Sequence, residues 1–98
     1  MKISQLDTSG YRPESGLPAL RITYCKPCGY LARAAWTAQE LLADFGDELD
    51  SVSLQPGSKG VFDVVVGDDV LWSKHAAGGF PDIDELKNAL RALLDSRT

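Results

Sequence analysis

The stretch LPALRITYCKPCGYLARA, residues 17–34, decides the fold. In its first half Leu20, Ile22 and Tyr24 alternate with Arg21 and Thr23, the period-two pattern of a strand with one apolar face. That strand runs straight into Cys25-Lys26-Pro27-Cys28, which holds both cysteines of the chain. Beyond them Leu31, Ala35, Ala38, Leu42 and Phe45 advance by four, three, four and three, one stripe along an amphipathic helix. Gly46 is placed to end that helix in the left-handed conformation. Strand, cysteine pair, helix: this order delivers two sulfurs to the C-terminal edge of a sheet.

The rest of the chain extends the same plan. DSVSLQ (50–55) puts Val52 and Leu54 on one face of a second strand, and PGSKG (56–60) is expected to turn. Strand, helix and strand in succession imply a parallel pair. VFDVVV (61–66) and VLWSK (70–74) are β-rich and only GDD separates them, so they are expected to form an antiparallel hairpin. HAAGGFP (75–81) reads as a loop. In DIDELKNALRALL (82–94), Asp82 with Glu85 makes a capping-box start, and Ile83, Leu86, Leu90 and Leu93 form a buried stripe. The expectation is an α/β domain, β-α-β-β-β-α, with a mixed four-stranded sheet over residues 18–98. Residues 1–17, rich in Ser, Gly, Asp and Arg, read as a flexible arm.

Chain direction then predicts the site. With the third strand antiparallel to the first, the cysteines, PGSKG and SKHAAGGFP share one rim of the sheet. Candidate rim residues are Lys26, Pro27, Gly57, Gly60, Lys74, His75, Phe80 and Pro81.

Ninety-eight residues with 44% apolar content can build a core without disulfide staples, so stability does not demand the cysteines. A net charge of −4, with no Lys/Arg cluster, opposes nucleic acid and anionic lipid surfaces. No apolar run approaches the roughly eighteen residues of a membrane span. MKISQLDTSGYRPESG at the start resembles neither a secretory nor a basic targeting peptide, which makes the cytoplasm the expected compartment. In that reducing setting a close cysteine pair points to redox or metal chemistry rather than a permanent cross-link.

Redox chemistry needs a thiolate, and an ordinary cysteine near pKa 8.5 is mostly protonated at neutral pH. A helix start supplies unpaired N–H groups and a positive dipole end, and Pro27 suits a first helical turn. One cysteine can then form a mixed disulfide and the other resolve it, giving a reversible Cys25–Cys28 bridge. Zinc is the alternative: a structural site takes four ligands, and two cysteines with His75 leave a monomer one short, so the zinc reading requires a homodimer. A third reading makes the chain a non-enzymatic module, either sensing redox state through the pair or keeping the cysteines as small buried hydrophobes in an interaction protein.

ITYCKPCGYLARA, GVFDVVVGDDVLWSKHAAGGFPD and the closing helix together resemble the selenoprotein W, T and H (Rdx) family of thioredoxin-like proteins, over about residues 19–95. The matching features are the Cys-x-x-Cys, the run Gly60, Phe62, Asp63, Val64, the pair Ser73-Lys74, and Gly79, Phe80, Pro81. The resemblance implies a thioredoxin-like fold and a small thiol-disulfide redox protein acting on protein thiols, with glutathione as co-reductant and no bound cofactor. A monomer or weak dimer is expected. Selenium-containing members carry selenocysteine at the position of Cys28, whereas ordinary thioredoxins attack with the first cysteine, here Cys25. The resemblance therefore leaves the nucleophile open. No proline stands just before Val61, where thioredoxins commonly carry one in cis; Pro56 is the nearest.

Secondary candidates read more plainly. His75 is expected to be a solvated loop histidine, and Trp72 a core residue. Phe80 is either a ledge for a substrate or a staple on Leu86. Trp36, off the helical stripe, is expected to be partly exposed, and Asp63 to lie on the open face of its strand.

Overall fold

The computed structural model describes Gly10 and residues 15–97. The alternating stretch forms β1 (Ala19–Cys25), followed by α1 (Leu31–Phe45), β2 (Ser51–Gly57), β3 (Phe62–Val66), β4 (Asp69–Ser73), the one-turn helix α2 (Lys74–Ala77) and α3 (Ile83–Ser96). The sheet runs β2-β1-β3-β4, with β1 parallel to β2 and the other pairs antiparallel. This is the expected mixed four-stranded sheet. The expected arm lies mostly outside the described residues; within them, Ser15 Oγ donates to Asp50 Oδ1 at 2.7 Å and Asp50 N–H donates to Pro18 O at 2.8 Å.

Alternation decides which face is covered. Leu20, Ile22 and Tyr24 of β1 and Phe62, Val64 and Val66 of β3 are buried beneath α1 and α3, with Leu41, Phe45, Leu86 and Leu90 from the helices. Arg21 is exposed, and Thr23, Asp63 and Val65 on the opposite face are half-buried. In β4 the pairing passes from Val64 with Trp72 to Val65 with Val70 and skips Leu71. This bulge lets the adjacent Leu71 and Trp72 both pack against the core, where strict alternation would send one of them outward. Trp72 is half-buried, with its indole N–H donating to Gly79 O at 3.0 Å.

Several expectations need correction. The buried face of α1 is Ala34, Thr37, Ala38, Leu41 and Phe45, while Leu31 and Leu42 of the expected stripe are 51% and 45% exposed. Small residues bring α1 close to β1 and β2, and Thr37 tolerates burial because its hydroxyl donates to Arg33 O at 2.8 Å. Gly46 is right-handed (φ −57°); its N–H donates to Leu42 O, and the chain continues through a further turn to the buried Leu49. Pro56 and Gly57 belong to β2 rather than to a turn, which a proline permits because β2 is an edge strand. HAAGGFP is not all loop. Its start winds into α2, capped by Ser73 Oγ and ended by Gly78 at φ 83°.

At the start of α3 the Asp82 carboxylate accepts from Glu85 N–H at 3.2 Å, the expected cap. Leu86, Leu90 and Leu94 are its buried residues, with Ile83 and Leu93 half-buried beside them. The far end of the molecule is tied by ion pairs: Lys87 with Glu40 and Asp44, Arg91 with Glu48 and Asp95, and Arg97 with Asp69.

Candidate redox site

Cys25, the last residue of β1, pairs in register with Gly57 of β2, and its N–H donates to Val61 O at 2.8 Å. It is therefore enclosed on both sides, and 0% of it is exposed. Cys28 lies in the turn that follows and is exposed. A disulfide joins them across a Cα–Cα distance of 5.3 Å. Backbone bonds fix the turn independently of sulfur: Lys26 N–H to Gly57 O at 3.1 Å, Gly29 N–H to Lys26 O at 3.0 Å and Tyr30 N–H to Cys25 O at 3.3 Å.

The helix starts later than its proline suggests. Gly29 takes φ 80°, Tyr30 is the N-cap residue, and α1 begins at Leu31, so Pro27 sits in the preceding turn and not in the first helical turn. A positive φ at Gly29 interrupts any helix starting at Pro27. The first-turn amides of α1 and the positive end of its dipole still follow Cys28 within a few residues. Tyr30 offers those amides no side-chain cap.

Gly57 is needed for close approach. A Cβ there would stand 2.8 Å from Val61 Cγ1 and 3.1 Å from Thr23 Cγ2. Gly60 (φ 76°) follows Lys59, itself left-handed at φ 59°, and a Cβ at Gly60 would lie 3.7 Å from His75 Cε1. The turn after β2 and the exposed His75 of α2 are thus neighbours, beside the strand end that carries Cys25. Lys26 and Pro27 are exposed within the cysteine turn itself, and Pro81 is half-buried just ahead of the α3 cap.

Phe80 joins the two halves of the rim. Its ring meets Tyr30 edge-on at 4.9 Å and Phe62 at 5.2 Å, and it packs against the core cluster that includes Leu86. The Arg33 guanidinium lies 4.0 Å from the Phe80 centroid, and Lys74 Nζ is 5.5 Å from it and 5.7 Å from Tyr30. Cys28, Tyr30, Arg33, Trp36 and Phe80 line an open groove of about 570 Å³. Sequence reading missed Tyr30 and Arg33 as site residues. Their signal was position: Arg33 and the 49% exposed Trp36 are one turn apart on the α1 face turned away from the core, just after Cys28.

Asp63 lies between Thr23 of β1 and Ser73 of β4, with Oδ1 buried and no hydrogen-bond donor on it among the described residues. No group of three or more His, Cys, Asp or Glu side chains able to hold a metal occurs among the described residues. No described helix is long and apolar enough to cross a membrane.

Known proteins share this fold. A Bordetella parapertussis protein of known crystal structure is 45% identical, with TM-score 0.76, over 78% of this chain and 96% of its own. The crystal structure of a selenoprotein W-related protein from Vibrio cholerae is 35% identical, with TM-score 0.77, over 80% of this chain and 98% of its own. The sheet and helices are thus those of the thioredoxin-like fold seen in selenoprotein W-like proteins. Migration and invasion enhancer 1 of Mus musculus is 32% identical over 72 residues, 71% of this chain. The match spans 59% of that relative's length. The Rdx family model matches residues 19–92, from the first residue of β1 to deep within α3, and the chain belongs to the Rdx family.

Proposed function

We propose that the chain is a thiol-disulfide exchange protein in which Cys28 meets the partner and Cys25 resolves. The observation that carries this is the difference in burial between the two bonded cysteines: 0% exposure at Cys25 and an exposed residue at Cys28. In the oxidised protein a partner thiolate attacks Cys28 Sγ. The Cys25–Cys28 bond breaks, a mixed disulfide forms at Cys28, and Cys25 leaves as a thiolate that takes up a proton. A second thiol then attacks the partner's sulfur. That step releases Cys28 as a thiolate and transfers two electrons in all to the protein.

In reverse, the Cys28 thiolate attacks a partner disulfide and Cys25 displaces the product. The α1 N-terminus follows Cys28 within a few residues, and the groove beside Cys28 admits the partner. Glutathione is the small reductant of this reading and protein thiols are its substrates. The protein works in the cytoplasm as a monomer or weak dimer.

Single-cysteine variants test it. C25S, offered an activated aromatic disulfide, is expected to accumulate a stable adduct at Cys28, seen by intact mass. C28S is expected to react far more slowly, at the rate of a buried thiol. The opposite ranking would overturn the assignment. Turnover of a glutathione mixed disulfide by the wild type separates an oxidoreductase from a module that is merely oxidised.

A further inference from the structure

We infer that Arg33 is a carboxylate-recognising residue, and that the groove beside Cys28 thereby selects anionic thiols. This inference rests on the exchange reaction proposed above and names its substrate class.

The chain is acidic overall, and its cations are unequally used. Lys87, Arg91 and Arg97 of the α3 segment all lie within salt-bridge distance of carboxylates. Arg33 forms no ion pair among the described residues; its guanidinium lies on the Phe80 ring at 4.0 Å. A cation–π contact does not saturate the guanidinium's N–H donors, which can still meet a carboxylate. Arg33 lines the same groove as Cys28 and, among the described residues, is the only charged side chain that does. Lys74, over the same two rings, adds a second positive charge nearby.

The neighbouring acids do not neutralise this pair. Asp82, two residues beyond Phe80, is committed to the α3 cap through Glu85 N–H, and Asp84 and Glu85 lie in the first turn of α3. Phe80 holds the guanidinium in place before any ligand arrives, which lowers the ordering cost of an ion pair with an incoming carboxylate. The ligand chemistry is a thiol with a carboxylate within a few bonds of sulfur. A small carboxylated thiol such as glutathione supplies it, and so does a cysteine flanked by an acidic residue in a protein. The exchange itself is unchanged: the anionic thiolate bonds to Cys28 Sγ and Cys25 departs as a thiolate.

The test is the rate at which thiols reduce the Cys25–Cys28 disulfide in the full chain, followed by tryptophan fluorescence or quenched mass analysis. The probes are 3-mercaptopropionate against 2-mercaptoethanol, each rate divided by that on a small model disulfide to remove intrinsic reactivity. The wild type is expected to prefer the anionic thiol, and R33Q to lower that preference about threefold to tenfold. R33K should keep part of it and 0.5 M salt should shrink it. Since 2-mercaptoethanol also attacks as a thiolate, the readout is the ratio of the two thiol rates within each protein, and circular dichroism reports an intact fold in all three. Equal preference in wild type and R33Q overturns the inference. If no thiol reduces the wild-type disulfide faster than a buried control disulfide, the exchange reading fails instead. Two further arms identify the source: glutathione against its dimethyl ester, and an Asp-Cys peptide against Asn-Cys. A charge preference in either arm supports the subsite, and a preference in neither overturns it.

Discussion

Replacing Phe80 with leucine keeps most of the apolar volume at the top of the core and removes only what an aromatic ring supplies. Two edge-on contacts disappear, to Tyr30 at 4.9 Å and to Phe62 at 5.2 Å, with interplanar angles of 77° and 76°. Each such pair contributes roughly 0.5–1.5 kcal/mol beyond burial. The Arg33 stack at 4.0 Å adds roughly 0.5–1 kcal/mol at an exposed position. Lys74, at 5.5 Å, is near the limit of that interaction and is counted as nothing. The sum is roughly 1.5–4 kcal/mol, and leucine recovers part through its own packing, so F80L should cost about 2 kcal/mol. For a domain of this size that lowers Tm by about 10 °C. The assay is thermal and urea unfolding of the oxidised protein by circular dichroism. A shift under about 2 °C with an unchanged m-value would refute the reasoning, because it would mean the rings contribute nothing beyond volume. A Y30L/F80L cycle sharpens it: about 1 kcal/mol of coupling is expected, and none if the edge-on contact is incidental.

Three other perturbations follow from the geometry. G57A places a methyl 2.8 Å from Val61 Cγ1 and 3.1 Å from Thr23 Cγ2, so Val61 or the end of β2 must shift; a loss of about 1–3 kcal/mol is expected in urea denaturation, partly recovered by V61A. G29A meets no atom within 4 Å but keeps φ 80°, so its loss of roughly 1–2 kcal/mol is purely backbone strain, and G29N should lose less than G29A in the same assay. The hydrogen bond and charge of Arg91 hold the Glu48 carboxyl below its ordinary 4.5. A lowered folded value supplies stability that is present above pH 4.5 and is lost as pH falls through the folded value. E48Q should therefore flatten the acid limb of the stability curve between about pH 5 and 3, most visibly at low salt, and an unchanged limb would exclude the pair as a contributor.

Most of the fold was legible because the sheet obeys alternation. β1, the β3–β4 hairpin and the α3 cap follow from residue period and turn chemistry, and chain direction alone gathered Gly57, Gly60, His75 and Phe80 near the cysteines. Helical facing was legible only in part. A hydrophobic count prefers Leu31 and Leu42 to Thr37, but Thr37 satisfies its hydroxyl within the helix and the small Ala34 packs on the sheet, so the stripe turns by a residue. The helix start was misread because Pro27 is compatible with both a turn and a first helical turn, and Gly29 chose between them. What sequence had no means of showing was the sulfur asymmetry. Burial of Cys25 arises from two strands that close on it from residues 57 and 61, a long-range consequence of register.

The three backbone bonds around the cysteine turn, from Lys26, Gly29 and Tyr30, bear on how this protein communicates. None of them involves sulfur, and neither does the bond from Cys25 N–H to Val61 O. Breaking the disulfide removes none of these four donors or acceptors, so the backbone network around the turn does not itself depend on the sulfur–sulfur bond. What changes with the redox state is the bond between a buried cysteine and an exposed one, and a molecule that can bond with Cys28 can read it.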